Sequence, residues 1–263
     1  MLYLIIPISV FLFYILLLVL VYKYQHLMIF RPILLSEDHE FHFDSPFEEL
    51  WLGSRKNINA LLFLVPNPKG VVLYHHGNSR NIQHWGNFYA DFTLRGYDVL
   101  FYDYRGFGKS KGRLTENSLY SDALICYKFL LTKYPKESIY QYGRSLGSAL
   151  ATYLTANYSS PFLILETPYL SMKAMAELSF PILPIQWIIR FPLRQDLDVV
   201  RVKCNILILS GTADELTPHN HSLLLSRMND HTELVILEKG MHNGLNEYKE
   251  YQIAFDRYFG SKR

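Results

Sequence analysis

Three absences narrow what this 263-residue chain can be. It has only two cysteines, Cys126 and Cys204, so no disulfide framework or cysteine zinc site is available, and its ten histidines show no metal-ligand spacing. No metal and no cofactor is therefore expected. A basic block is missing too: 26 Lys and Arg against 24 Asp and Glu are interspersed to a net +2, which points away from nucleic acid as a partner. Charge is absent altogether from Leu2 to Tyr22, a run long enough to cross a hydrocarbon core of about 30 Å as a helix. No Lys or Arg precedes this run and no small-residue cleavage site follows it, so residues 1–22 are expected to be an uncleaved transmembrane anchor. Lys23 and Arg31 come after the span, and the positive-inside rule then leans towards a catalytic domain on the cytoplasmic side of a single-pass protein.

What the chain does have is apolar substance, 49% hydrophobic and 15% aromatic, enough for one sizeable core. Residues 23–45 mix aromatic, basic and acidic side chains without a period and read as a juxtamembrane connector. From 46 to 263 the pattern becomes regular. Phe47–Gly53 and Ile58–Val65 flank the turn signal Gly53-Ser54-Arg55, as an antiparallel pair does. A continuous apolar run at Val71–His75 has the form of a strand buried on both faces of a parallel sheet, and further strands are read at Asp98–Tyr102, Ser138–Tyr142, Pro161–Leu165, Ile206–Leu209 and Leu234–Leu237. Helical stretches separate them at Trp85–Arg95, Glu116–Tyr134, the residues after Ser145 to Tyr158, His219–Met228 and Gly244–Phe259. The fold class implied is α/β, a mostly parallel central sheet flanked by helices. One segment, about 171–197, breaks the rhythm with an apolar stretch around Phe180 to Ile189, and it is expected to form a small cap over the strand ends, with a surface helix packed on the core and a second membrane contact as the alternatives.

Chemistry concentrates where Ile139–Tyr142 runs into Gly143-Arg144-Ser145-Leu146-Gly147. Strand, tight turn and helix with a serine at the apex hold a hydroxyl clear of its own backbone, beside donors for a developing oxyanion. Such a serine needs a base and a carboxylate to orient the base. Asp214 follows the run Ile206–Leu209 and His242 follows Leu234–Leu237, so both lie in loops past successive strand ends in the order Ser, Asp, His. Glu166, at the end of the run Phe162–Leu165, is the alternative acid, while Asp103 precedes the serine and reads as a loop-fixing residue. The oxyanion hole calls for two backbone N–H groups, those of Leu146 and of Asn78 in the loop after His75-His76. Rival motifs fail: Gly108-Lys109-Ser110 lacks the earlier glycine of a phosphate-binding loop, and Gly106-Phe107-Gly108 lacks the third glycine of a dinucleotide fingerprint.

Five stretches together carry a resemblance: Tyr74–Asn81, Asp103–Ser110, Gly143–Gly147, Gly211–Glu215 and the His242 loop. Over about 45–260 the chain resembles the α/β-hydrolase superfamily, and within it the membrane-anchored single-domain serine hydrolases that include the protein depalmitoylases. That resemblance implies the α/β-hydrolase fold and a triad of Ser145, Asp214 and His242. Depalmitoylases attach through lipidated cysteines, of which this N-terminus has none. The expected activity is a membrane-anchored serine hydrolase that cleaves carboxylic esters or thioesters of small or lipid-like acyl substrates. A serine amidase or peptidase, and a non-catalytic hydrolase-fold binding protein at the membrane, are the alternatives.

Overall fold

The apolar runs assemble into one eight-stranded sheet in a computed structural model that describes residues 2–260, with side chains from Ile6 onward. Its strands are β1 (Phe47–Leu52), β2 (Ile58–Phe63), β3 (Val71–His75), β4 (Asp98–Tyr102), β5 (Ile139–Arg144), β6 (Phe162–Glu166), β7 (Asn205–Gly211) and β8 (Thr232–Leu237). Across the sheet the order is β8-β7-β6-β5-β3-β4-β2-β1, and β2 alone runs against the others. Every residue of β3, β4 and β6 is buried, because helices cover both faces.

The period of two sorts the strand residues between those faces. Leu73, Leu100 and Tyr102 pack with α2 (Glu116–Leu130) and α3 (Gly147–Tyr158). Val72, Tyr74, Phe101, Tyr142 and Ile164 point the other way, towards Tyr251, Phe255 and Phe259 of the C-terminal helix. The helix α2 begins where Thr115 and Ser118 cap each other reciprocally, so its start is fixed by local sequence.

Between β6 and β7 lie three short helices, α4 (Met172–Ser179), α5 (Ile185–Ile188) and α6 (Gln195–Val199), on the segment expected to be a cap. The last two helices are α7 (His219–Arg227) and α8 (Lys249–Phe259), the latter preceded by a single 3-10 turn at Leu245–Glu247. That turn replaces the first residues of the helix expected from Gly244, whose φ of 78° is left-handed and stops a helix from starting there.

Two further expectations differ from the structure. The helix expected over Trp85–Arg95 is broken into Ile82–Trp85, a 3-10 turn at Gly86–Tyr89 and Ala90–Thr93. Asn81 starts the first piece early by accepting the Gln83 N–H at 3.1 Å, and the Asn87 amide bonds the Gln83 and His84 carbonyls, which competes with continued α-helix. At the N-terminus, α1 (Leu2–Ile29) continues past Tyr22 for seven residues, and on that extension the Gln25 side chain bonds the Ile188 carbonyl and the Arg190 N–H. Within Ile6–Ile29 an 18-residue window reaches a mean hydropathy of 2.3, long and apolar enough to cross a membrane. The residues after it are not a free connector: Arg31–Pro32 pair in parallel with Ser79–Arg80, and Leu35 donates to the Gly108 carbonyl at 3.0 Å.

Candidate active site

At the C-terminal edge of β5 the chain must turn sharply into α3, and Ser145 takes that turn at φ 51°, a left-handed conformation rare for a serine. Its N–H donates to the Glu166 carbonyl at 2.9 Å, which ties the turn to β6. The flanking glycines are required by space. A Cβ on Gly147 would lie 2.0 Å from the His75 carbonyl oxygen, and one on Gly143 would lie 2.6 Å from the Gly147 oxygen and the Ser148 Cα. Strand and helix therefore cross at a distance that only glycine permits.

His242 and Asp214 meet past the ends of β8 and β7. The imidazole Nδ1 lies 2.8 Å from Asp214 Oδ2, and the Thr217 hydroxyl donates to the same oxygen at 2.6 Å. Asp214 Oδ1 accepts the N–H groups of Leu216 and Thr217, both at 2.8 Å. Burial alone would push the Asp214 carboxyl up, but these hydrogen bonds, from His242 and Thr217 above all, outweigh it and hold the group below its ordinary value. A carboxylate can only accept, so the proton of the imidazole belongs on Nδ1 and Nε2 keeps its lone pair.

Ser145, Leu146, Asn78, Thr217 and His242 line one cavity of about 460 Å³. Among the described residues, no protein acceptor takes the backbone N–H of Leu146 or of Asn78. The loop carrying Asn78 is firmly held: its carbonyl accepts the Arg31 N–H at 2.8 Å, and its side-chain amide donates to the Ile29 carbonyl at 2.6 Å. Beneath it, His75 is sealed between Tyr102 and Gln141, and burial lowers its pKa to about 4, so it stays neutral. His76 contacts Asp103 at 3.5 Å, and Asp103 accepts the Ile82 N–H at 3.0 Å, so Asp103 fixes loops.

Glu166, the alternative acid, is occupied elsewhere. Its Oε1 lies 3.2 Å from Arg144 Nε, and its Oε2 accepts from the hydroxyls of Tyr142 and Tyr251. No hydrogen bond joins it to His242. Arg144, which the sequence reading passed over, also donates to Asn243 Oδ1 at 2.9 Å and to the His242 carbonyl at 3.4 Å, and its guanidinium lies over the rings of Trp85 and Phe88. It thus links the serine turn to the histidine loop. The only signal for it in the sequence was a charge placed inside an otherwise apolar strand end.

The other walls of the cavity are apolar. Met172, Met175, Phe180, Leu183 and Ile188 of the cap segment supply one, and Val21, Met28 and Ile29 of α1 supply another, with the Gln25 amide among them. Contact between α1 and a chain region more than a hundred residues away is invisible in the sequence.

Comparison with known proteins agrees with this architecture. Residues 66–194 match the family model described as serine aminopeptidase, S33. Alpha/beta hydrolase domain-containing protein 17B of Homo sapiens is 31% identical over 205 residues, covering 75% of this chain and 69% of its own, and the Xenopus tropicalis protein matches to the same extent. Among solved structures, an esterase of Pyrococcus furiosus superposes with a TM-score of 0.67 at 17% identity, covering 89% of this chain and 98% of its own. A monoacylglycerol lipase of Paleococcus ferrophilus does so at 0.59, again with 17% identity, covering 77% of this chain and 98% of its own. The elbow at Ser145, the parallel sheet and these relatives lead to one conclusion: the chain belongs to the α/β-hydrolase superfamily and is a hydrolase.

Proposed function

We propose that the protein is a membrane-anchored serine esterase or thioesterase acting on acyl, lipid-like substrates through Ser145, His242 and Asp214. The observation that carries this reading is the 2.8 Å bond from the His242 imidazole to Asp214, made by a histidine that shares a cavity with Ser145. In the reaction, His242 Nε2 takes the hydroxyl proton as Ser145 Oγ attacks the acyl carbon. Asp214 holds the tautomer and stabilises the imidazolium. The backbone N–H groups of Leu146 and Asn78 receive the oxyanion. Collapse of the tetrahedral adduct expels the alcohol or thiol with the proton that His242 returns, leaving Ser145 acylated, and water repeats the sequence to release the acid.

The substrate class rests on the lining. Methionines and branched aliphatic side chains on two walls suit an acyl chain, while the polar groups gather around Ser145. The anchor is α1, with Lys23 and Arg31 just beyond the apolar run and the catalytic domain on the cytoplasmic side.

A chain-length series tests this reading. Full-length protein in detergent micelles is given p-nitrophenyl esters and acyl thioesters of rising chain length, with p-nitroanilide amides alongside and Ser145→Ala as the control. Turnover rising with chain length and abolished in the control is the expected result. A folded protein that turns over amides but neither esters nor thioesters would contradict it.

A further inference from the structure

Residues 178–189 form an arm between Glu177 and Arg190 that carries no charged side chain across twelve positions. Leu178, Ile182 and Trp187 on it are 64%, 79% and 79% exposed, and Ile182 and Trp187 take no part in lining the cavity. An exposed apolar patch of this kind marks a surface that meets something other than water.

Contacts with α1 say what covers it. The Tyr14 hydroxyl donates to the Ile182 carbonyl at 3.1 Å, whereas the Gln25 amide donates to the Ile188 carbonyl at 2.8 Å and accepts the Arg190 N–H at 2.7 Å. Arg190 also lies over the Tyr22 ring and reaches the Lys23 carbonyl. The arm therefore runs alongside α1, its cationic end level with Lys23 and its tip level with Tyr14. Tyr14 is nine residues before Lys23, about 13 Å along a helix, and a leaflet's hydrocarbon is about 15 Å deep.

Most of the arm's backbone suits that environment as well, the exception being the Ile182 N–H, which has no acceptor among the described residues. Lipid offers no partners to peptide groups, so a non-helical segment there must satisfy them internally. Pro181 and Pro184 have no N–H to satisfy. The N–H groups of Phe180, Leu183, Ile185, Trp187 and Ile189 each reach a carbonyl of the cap itself, at 2.8–3.0 Å. Tyr14 and Gln25 supply donors to two of its carbonyls.

We propose that residues 178–189 insert into the same leaflet as α1, with the lipid bilayer as the occupant of this surface and the source from which acyl chains reach the cavity. The proposal rests on the reading of α1 as a membrane anchor. It makes the cap and the anchor one membrane-embedded unit, with Tyr22, Lys23, Tyr24 and Arg190 at the headgroup level.

The test uses full-length protein in phospholipid vesicles, carrying Cys204→Ala and a nitroxide on Ile182→Cys, Trp187→Cys or, as an aqueous control, Lys133→Cys. Cys126 is buried and remains. Both arm labels should be accessible to oxygen and protected from a water-soluble nickel chelate, with the control reversed. Nickel access at both arm positions would overturn the proposal, and protection from both colliders would overturn it in favour of a protein partner or a second copy. Vesicle flotation at alkaline pH is run on the same samples. Failure to float would remove the anchor reading itself, whereas flotation with nickel-accessible labels would remove only the arm's insertion. In a second readout, Ile182→Asp and Trp187→Asp should lower hydrolysis of vesicle-borne acyl esters roughly tenfold or more, leaving a short soluble ester within about twofold. An equal effect on both substrates would overturn the proposal.

Discussion

Two acid–base pairs stand a few strands apart at the same edge of the sheet, and they have opposite fates. Arg144 and Glu166 are cross-strand neighbours on β5 and β6, with side chains only 4% and 5% exposed, and the tyrosines around them close the cluster. His242 and Asp214 also face each other across loops, but the histidine is 14% exposed, half-buried beside the cavity that holds Ser145. Both carboxylates follow the serine at the C-terminal end of a strand, Glu166 as the last residue of β6 and Asp214 three residues past β7, so their order in the sequence does not separate them. Their partners do: a permanently charged guanidinium holds Glu166 in structure, whereas Asp214 faces an imidazole, the partner that the proposed triad requires.

The largest effects should fall on the open pair. Ser145→Ala is expected to abolish ester turnover, and Asp214→Asn to reduce kcat on the order of 10⁴-fold by favouring the wrong imidazole tautomer. Steady-state assays beside thermal melts check this, because both variants should melt within a few degrees of wild type.

The sealed pair should respond in stability. Glu166→Gln leaves the buried Arg144 charge without its carboxylate, which costs up to about 3–5 kcal/mol, and denaturant unfolding should report it while turnover per folded molecule stays within about tenfold. A Glu166→Gln protein as stable as wild type but inactive would erase the distinction between the pairs.

A smaller effect is expected where the site meets the anchor. Asn78→Ala keeps the backbone N–H assigned to the oxyanion but loses the side-chain bond to the Ile29 carbonyl. Removing one hydrogen bond to a part-buried carbonyl costs about 1 kcal/mol, so stability should fall by that amount with kcat reduced only severalfold.

The last effect depends on pH. His75 is neutral in the folded protein, with a pKa lowered to about 4 by burial, against about 6.5 when unfolded. Between those values the unfolded chain binds the extra proton, so this group's stabilisation is full above pH 6.5 and fades as pH falls towards 4, by at most about 3 kcal/mol. Subtracting the pH–stability profile of His75→Gln from that of wild type should leave a difference confined to this window.

Much of this was legible beforehand, for physical reasons. Strands buried on both faces are written as largely apolar runs, so β3 to β7 were visible one by one, the half-buried edge strand β8 showed as the short run Leu234–Leu237, and Gly143 and Gly147 marked the close crossing at Ser145. What stayed hidden depends on partners distant in sequence. Nothing local tells that Arg144 will spend its charge on Glu166, or that Val21 and Met28 will wall a cavity around Ser145. Asn87, by bonding carbonyls in its own helix, broke a segment whose apolar pattern was sound.

The most direct measurement is the rate at which a fluorophosphonate probe labels the full-length protein, compared among wild type, Ser145→Ala, Asp214→Asn and Glu166→Gln. Labelling absent in Ser145→Ala, strongly slowed in Asp214→Asn and near wild type in folded Glu166→Gln is the predicted result. Equal slowing by Asp214→Asn and Glu166→Gln, or labelling that survives Ser145→Ala, would contradict the account.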